Sequence, residues 1–293
     1  MAYLRYGAGM GRVDVAGSLQ AGVAMVVVGS SVAASSIVAH YPILGGQAAR
    51  YALGAAVLAA LARGRLPRPR PAQLPHLLAL AATGLAGFNV FLIAALRQAD
   101  AGSVGVIIGT VPLALALLGP MLEGRAPSGP MVAAALVVSA GAAFVQWSGG
   151  PMSPVGLALS LGALACEAAF SLLAVPLLAT LGPVGVSTYA CAAAAAMLLA
   201  GAVGVDGADA VRLPTQQEAA AFGYLAVVVT ALGFVLWYSG VRRLGVERAG
   251  LFAGLVPVAA LVTSAAVGAA ALTLPRLVGA VAVGAGVTLG MKR

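Results

Sequence analysis

Apolar runs about twenty residues long, each able as a helix to cross roughly 30 Å of hydrocarbon, recur along nearly the whole chain. They fall at residues 18–38, 42–62, 75–96, 101–121, 128–147, 154–174, 184–205, 218–241, 248–268 and 275–290. Breakers stand between them: His40-Tyr41-Pro42, an Arg/Pro run over 63–71, residues 123–130 and 149–154, Gly182-Pro183, and residues 206–217. Only the boundary near 269–275 is faint. With 61% hydrophobic and 8% charged residues, the chain has too little polar surface to cover itself in water. Lipid is therefore its solvent, and the backbone must satisfy itself within helices. The expected fold is an all-α polytopic membrane protein with ten transmembrane helices. Cys166 and Cys191 lie inside apolar runs and read as buried small hydrophobes, not as a disulfide framework.

The net charge of +8 does not point to nucleic acid, because the basic residues sit at the ends of apolar runs and are not interleaved with aromatics. Residues 1–17 are too polar and too glycine-broken for the core of a signal peptide and are expected to form a cytoplasmic tail. With both termini inside, the cytoplasmic side collects Arg5, Arg12, Arg63, Arg65, Arg68, Arg70, Arg125, Arg242, Arg243, Arg248, Lys292 and Arg293. Arg97, Arg212 and Arg276 fall outside, and Arg50 falls within a helix. This is the orientation that the positive-inside bias favours, in a cell inner membrane.

One stretch occurs twice. Residues 87–112 (GFNVFLIAALRQADAGSVGVIIGTVP) align with 233–257 (GFVLWYSGVRRLGVERAGLFAGLVP): Phe88 with Phe234, Gly105 with Gly250, Pro112 with Pro257. A weaker echo follows each copy, 129–141 resembling 277–290 in its spacing of small residues. The period is half the chain. Five helices per half is an odd number, so the halves, 18–148 and 154–290, cross the membrane in opposite senses as two inverted repeats. Such repeats place a substrate site near the midplane between them.

Residues 99–128 (ADAGSVGVIIGTVPLALALLGPMLEGRAPS) resemble the fourth-helix signature of the EamA family in the drug/metabolite transporter superfamily. Small residues enter that helix, a proline sits within it and a Gly-Glu-Arg-like turn closes it. The segment 245–290, Gly29-Ser30-Ser31 and Arg50 are similar to further positions that the family favours. In the second half Ala270-Ala271 stand where the Gly-Glu pair would recur. The resemblance implies a ten-helix exporter of small metabolites that works by alternating access. The chain length and the run Cys166-Glu167-Ala168-Ala169-Phe170 resemble the family's aromatic amino acid exporters. Amino acids with bulky side chains are then the first expectation, and nucleosides or cationic drugs the alternative.

Glu167 is the strongest physical outlier, about 18 Å below the outer boundary at 1.5 Å per residue. A carboxylate at that depth must be paired, protonated or wet. Arg50 lies about 12 Å below the same boundary and comes from the opposite half, so an Arg50–Glu167 pair, or a protonated Glu167 bonded to a backbone carbonyl, is the structural alternative to a substrate or proton site at Glu167. Asn89 needs a protein partner or a cavity. Ser31 offers a polar group in helix one, although close packing is its commoner use. Trp237 and Tyr238 are adjacent on helix eight; one can face a substrate ring while the other faces neighbours, lipid or the interfacial belt. Phe88 and Phe234 are candidates for an apolar cavity wall. Pro112 and Pro257, at equivalent places, are candidate gating kinks.

No HExxH, His/Asp cluster or Ser/His arrangement suggests a membrane enzyme, and no GxxxxGK[ST] suggests ATP as energy source. No cofactor or metal is expected. The expected partners are a small-molecule substrate and the bilayer. Proton coupling and facilitated diffusion both fit a Glu167 site. Small residues on many faces permit a homo-oligomer without requiring one, and an assembly protein would have no use for buried charges or matched prolines.

Overall fold

The computed structural model describes residues 14–292, so most of the tail expected over 1–17 lies outside the described residues. Among the described residues, ten helices are long and apolar enough to cross a membrane: α1 (Val15–Ile37), α2 (Ile43–Leu61), α3 (Pro71–Leu96), α4 (Ala101–Leu122), α5 (Gly129–Gln146), α6 (Pro154–Leu172), α7 (Val175–Ala210), α8 (Gln216–Leu244), α9 (Val246–Ala266) and α10 (Leu274–Met291). They match the ten apolar runs. The seventh begins nine residues early, because residues 175–181 form a short helical segment ahead of Gly182, whose φ of 65° breaks it from the span proper. Only glycine enters that backbone region without strain.

Short polar side chains start the helices. Asp14 accepts from the Gly17 amide at 2.9 Å, and Ser153 accepts from Gly156 at 3.0 Å. Thr215 and Glu218 form a reciprocal capping box at the head of α8. Asp100 caps α4 through the amides of Gly102 (2.9 Å) and Ser103 (3.1 Å) and accepts from the Ser148 hydroxyl at the end of α5. Those donors, Ser148 foremost, hold the Asp100 carboxyl below its ordinary 3.8. A depressed carboxylate stabilises the fold above its unfolded pKa, and the contribution is lost as pH falls through the folded value. Asp100→Asn is therefore expected to lower the melting temperature at pH 7 and to flatten its decline between pH 4 and pH 3. Thermal unfolding across that range checks both.

The packing repeats about a pseudo-twofold axis. α2 lies along α7 and α5 along α10, each pairing equivalent helices of the two halves. The α1–α8 contact is matched by α6–α3, and α1–α9 by α6–α4. The repeats are thus inverted and interleaved. The echo between 129–141 and 277–290 is the α5–α10 seam: a Cβ on Gly141 would lie 2.7 Å from the Gly279 carbonyl oxygen, and one on Gly279 would lie 2.6 Å from that of Gly141. Small residues at such seams let helix backbones touch.

α4 and α9 are broken at equivalent places. In α4 the break falls at Gly109-Thr110, and in α9 a 3-10 turn spans Phe252–Gly254. A proline four residues on excludes the carbonyl of Ile108 or Ala253 from its usual helical bond, so Pro112 and Pro257 sit just past the breaks they cause. Both are buried.

Candidate functional site

Both copies of the Gly-Phe pair sit at the end of a π-helical turn, Ala81–Gly87 in α3 and Leu225–Leu232 in α8. Such turns leave backbone carbonyls short of their usual donors and often occur at functional sites. In α3 the amide of Asn89 donates to the Leu85 carbonyl inside the turn at 2.7 Å and to the Tyr51 hydroxyl at 3.0 Å. In α8 the Thr230 hydroxyl accepts from Arg50 Nε at 2.8 Å, and Arg50 also donates to Gln47 at 3.4 Å. The Arg50-Tyr51 pair of α2 is therefore clasped between the two π-turns. The Arg50 guanidinium also lies 5.4 Å from the Tyr51 ring centroid, a cation–π distance.

An aromatic chain leads inward from Tyr51. Its ring is 6.4 Å from Phe234, which lies 4.8 Å from Phe170, which lies 5.0 Å from Tyr238. The Trp237 indole donates to the Ser171 hydroxyl at 3.1 Å, and the Tyr238 hydroxyl donates to the Phe170 carbonyl at 3.1 Å. Trp237 and Tyr238 are 3% and 0% exposed. That removes the lipid and interfacial-belt alternatives: both rings lock α8 onto α6, and neither turns outward.

Glu167 lies on the same side of α6 as this chain. Its neighbours one turn away, Ala163, Phe170 and Ser171, and Ser160 two turns away are all buried, so the face is interior. Glu167 nonetheless keeps part of its surface accessible. Among the described residues it forms no ion pair or hydrogen bond, and it lies within electrostatic reach of the Tyr51 and Tyr238 hydroxyls. The Arg50–Glu167 pair allowed by the depth argument does not form. The reason is local: Thr230, Gln47 and the Tyr51 ring already occupy the guanidinium.

The remaining sequence candidates divide. Asn89 and Phe234 belong to the cluster. Among the described residues Phe88 makes no ring contact with it, and Ser31 contributes no hydrogen bond; its neighbour Ser30 bonds the Tyr224 hydroxyl at 2.6 Å. Tyr51, Thr230, Gln47 and Phe170 complete the site without having been singled out as candidates. The sequence did carry a signal for them, since each is polar or aromatic within an apolar span and Tyr51 adjoins Arg50. Thr230→Val removes the acceptor for Arg50 Nε. Stability should fall by about 1.5–3 kcal/mol, the range for a hydrogen bond to a charged group, as read by unfolding in detergent.

The EamA-like transporter family matches residues 15–147 and again 154–291. The chain belongs to the EamA-like transporter family. Each of its two matches spans five of the ten helices. The chain is 25% identical over 251 residues to "Uncharacterized transporter YetK" of Bacillus subtilis (strain 168), covering 82% of this chain and 76% of that protein. It is 30% identical over 213 residues to "Probable terminal-alkyne amino-acid exporter" of Streptantibioticus cattleyicolor, covering 72% and 71%. A crystal structure with 22% identity superposes with a TM-score of 0.80 over 94% of this chain and 96% of its own. Fold and family thus agree: this EamA-like chain is a multi-pass membrane transporter.

Proposed function

We propose that this transporter exports amino acids with bulky apolar or aromatic side chains across a cell inner membrane, with both termini cytoplasmic. The observation that carries the reading is the unpaired Glu167 carboxylate on the interior face of α6, beside the aromatic chain from Tyr51 to Tyr238. Glu167 offers an acceptor for a substrate ammonium, and Phe170, Phe234 and the Tyr51 ring offer it an apolar wall. Asn89 presents an amide oxygen that has no protein donor among the described residues. The broken helices α4 and α9, with Pro112 and Pro257 at equivalent breaks, serve as gates for alternating access. The name of the Streptantibioticus relative supports the substrate class, and the arginine distribution supports the orientation. A small amphipathic substrate, and no catalytic chemistry, fits a site built from one carboxylate, one amide and aromatic rings.

The test is uptake into liposomes holding the purified protein. Radiolabelled phenylalanine, leucine, uridine and tetraphenylphosphonium are compared with and without a pH gradient. Phenylalanine and leucine flux well above the other two supports the reading. Flux confined to uridine or the cation moves the protein to a metabolite or drug exporter, and flux of none removes the amino acid reading. Dependence of phenylalanine flux on the gradient separates proton coupling from facilitated diffusion.

A further inference from the structure

At the end of the bundle opposite the described termini, a cavity of about 590 Å³ opens between the α1–α2 turn, the end of α3 and the end of α7. Its lining is divided by chemistry. Arg97 and His40 come from the first repeat, Asp206 and Asp209 from the second, and an apolar floor including Leu44, Val90 and Ile93 lies beneath them. Arg212 also lines the cavity, but it is held by Glu218 at 2.5 and 2.9 Å and sits 4.7 Å from the Tyr41 ring centroid. Arg97, Asp206 and Asp209 form no ion pair among the described residues, so cationic and anionic groups face one space from opposite repeats without neutralising each other.

The floor continues toward the central site. Ile93 lies one turn beyond Asn89 on the same face of α3, and Arg97 lies one turn further, about 12 Å from Asn89 along the axis. On α2, Leu44 is two turns from Tyr51 on the same face, about 10 Å away. The cavity lining and the Tyr51–Asn89 pair thus lie along the same faces of α2 and α3.

We propose that this cavity is a second binding site, a staging site for the zwitterion of an amino acid with an apolar side chain. Arg97 holds the carboxylate, Asp206 and Asp209 hold the ammonium, and the side chain lies on the Leu44–Ile93 floor. A ligand held in this way bridges the two repeats at this end of the bundle. The proposal rests on the amino acid reading above and extends it from one site to two.

Equilibrium binding of radiolabelled phenylalanine to the purified full-length protein tests it, with Glu167→Gln used to disable the central site. Glu167→Gln should retain phenylalanine binding. Adding Arg97→Gln, or Asp206→Asn with Asp209→Asn, should then weaken it at least tenfold. Phenylalanine amide, lacking the carboxylate, and N-acetylphenylalanine, lacking the ammonium, should each compete at least tenfold less well than phenylalanine. Arg97, Asp206 and Asp209 are exposed, so unchanged melting temperatures are expected to show that the variants fold. If wild type binds and Glu167→Gln binds nothing, or if binding to Glu167→Gln survives the vestibule substitutions, the second site is overturned while the amino acid reading stands. If wild type and Glu167→Gln both fail to bind phenylalanine, both readings fall together.

Discussion

Gly141→Leu is expected to abolish recovery of folded, monodisperse protein, whereas Gly284→Ala is expected to leave it intact. At Gly141 even a single Cβ would meet backbone, 2.7 Å from the Gly279 carbonyl oxygen and 2.8 Å from the Val283 nitrogen. Neither atom belongs to a flexible side chain, so the two helices would have to separate. The same seam is tight at Gly286, where a Cβ would lie 2.9 Å from the Val138 nitrogen and 3.0 Å from the Ala134 carbonyl oxygen. Overpacking a close-packed interior by a methyl or two costs about 1–3 kcal/mol, and Gly141→Ala should fall in that range. Leucine adds three more carbons at a point with no space, in a protein whose total stability is on the order of 5–15 kcal/mol. Gly284 has nothing within 4 Å, and alanine there should be neutral or slightly stabilising, because it reduces backbone freedom in the unfolded chain. Size-exclusion profiles and melting temperatures of the three variants read the outcome. A well-folded Gly141→Leu protein would mean that the α5–α10 seam is not a close backbone contact.

The small-residue echo was visible in the sequence, and its meaning as a seam was not. Spacing alone cannot distinguish glycines that touch a partner helix from glycines that face lipid, as Gly141 and Gly284 illustrate. The span positions were legible because the apolar runs are long and their breakers are Pro, Gly and charged residues, which act locally. The inverted packing was legible for a related reason: the odd helix count and the internal repeat are properties of the chain that no tertiary detail can alter. Side-chain partnership is a different kind of information. Arg50 and Glu167 both fall within apolar spans, α2 and α6, yet the pair that their depths allow does not form, because Thr230 in the π-turn of α8 holds the guanidinium. Nothing in the residues 225–232 (LAVVVTAL) announces that turn. The roles of Trp237 and Tyr238 stayed open for the same reason. Their possible lipid or belt role followed from position along the helix, while their burial follows from rotation of α8 against α6.

Glu167→Gln is expected to raise the KM for phenylalanine by about 10- to 150-fold while leaving the protein folded. The factor corresponds to losing one hydrogen bond between charged groups, about 1.5–3 kcal/mol at 1.4 kcal/mol per factor of ten. Folding should survive because Glu167 has no hydrogen-bond or ion-pair partner to lose among the described residues, and an uncharged amide is cheaper to bury in a membrane than a carboxylate. This separates it from Arg50→Met, which leaves Thr230 and Gln47 without their donor and should lower stability before it alters transport. Initial rates in liposomes, measured beside melting temperatures, give each variant a position on both scales. A high KM with an unchanged or raised melting temperature is the signature of a residue that touches substrate. A Glu167→Gln protein with wild-type KM would leave the carboxylate as a group that the fold tolerates on an interior face, and the search for the ammonium's partner would pass to the free oxygen of Asn89.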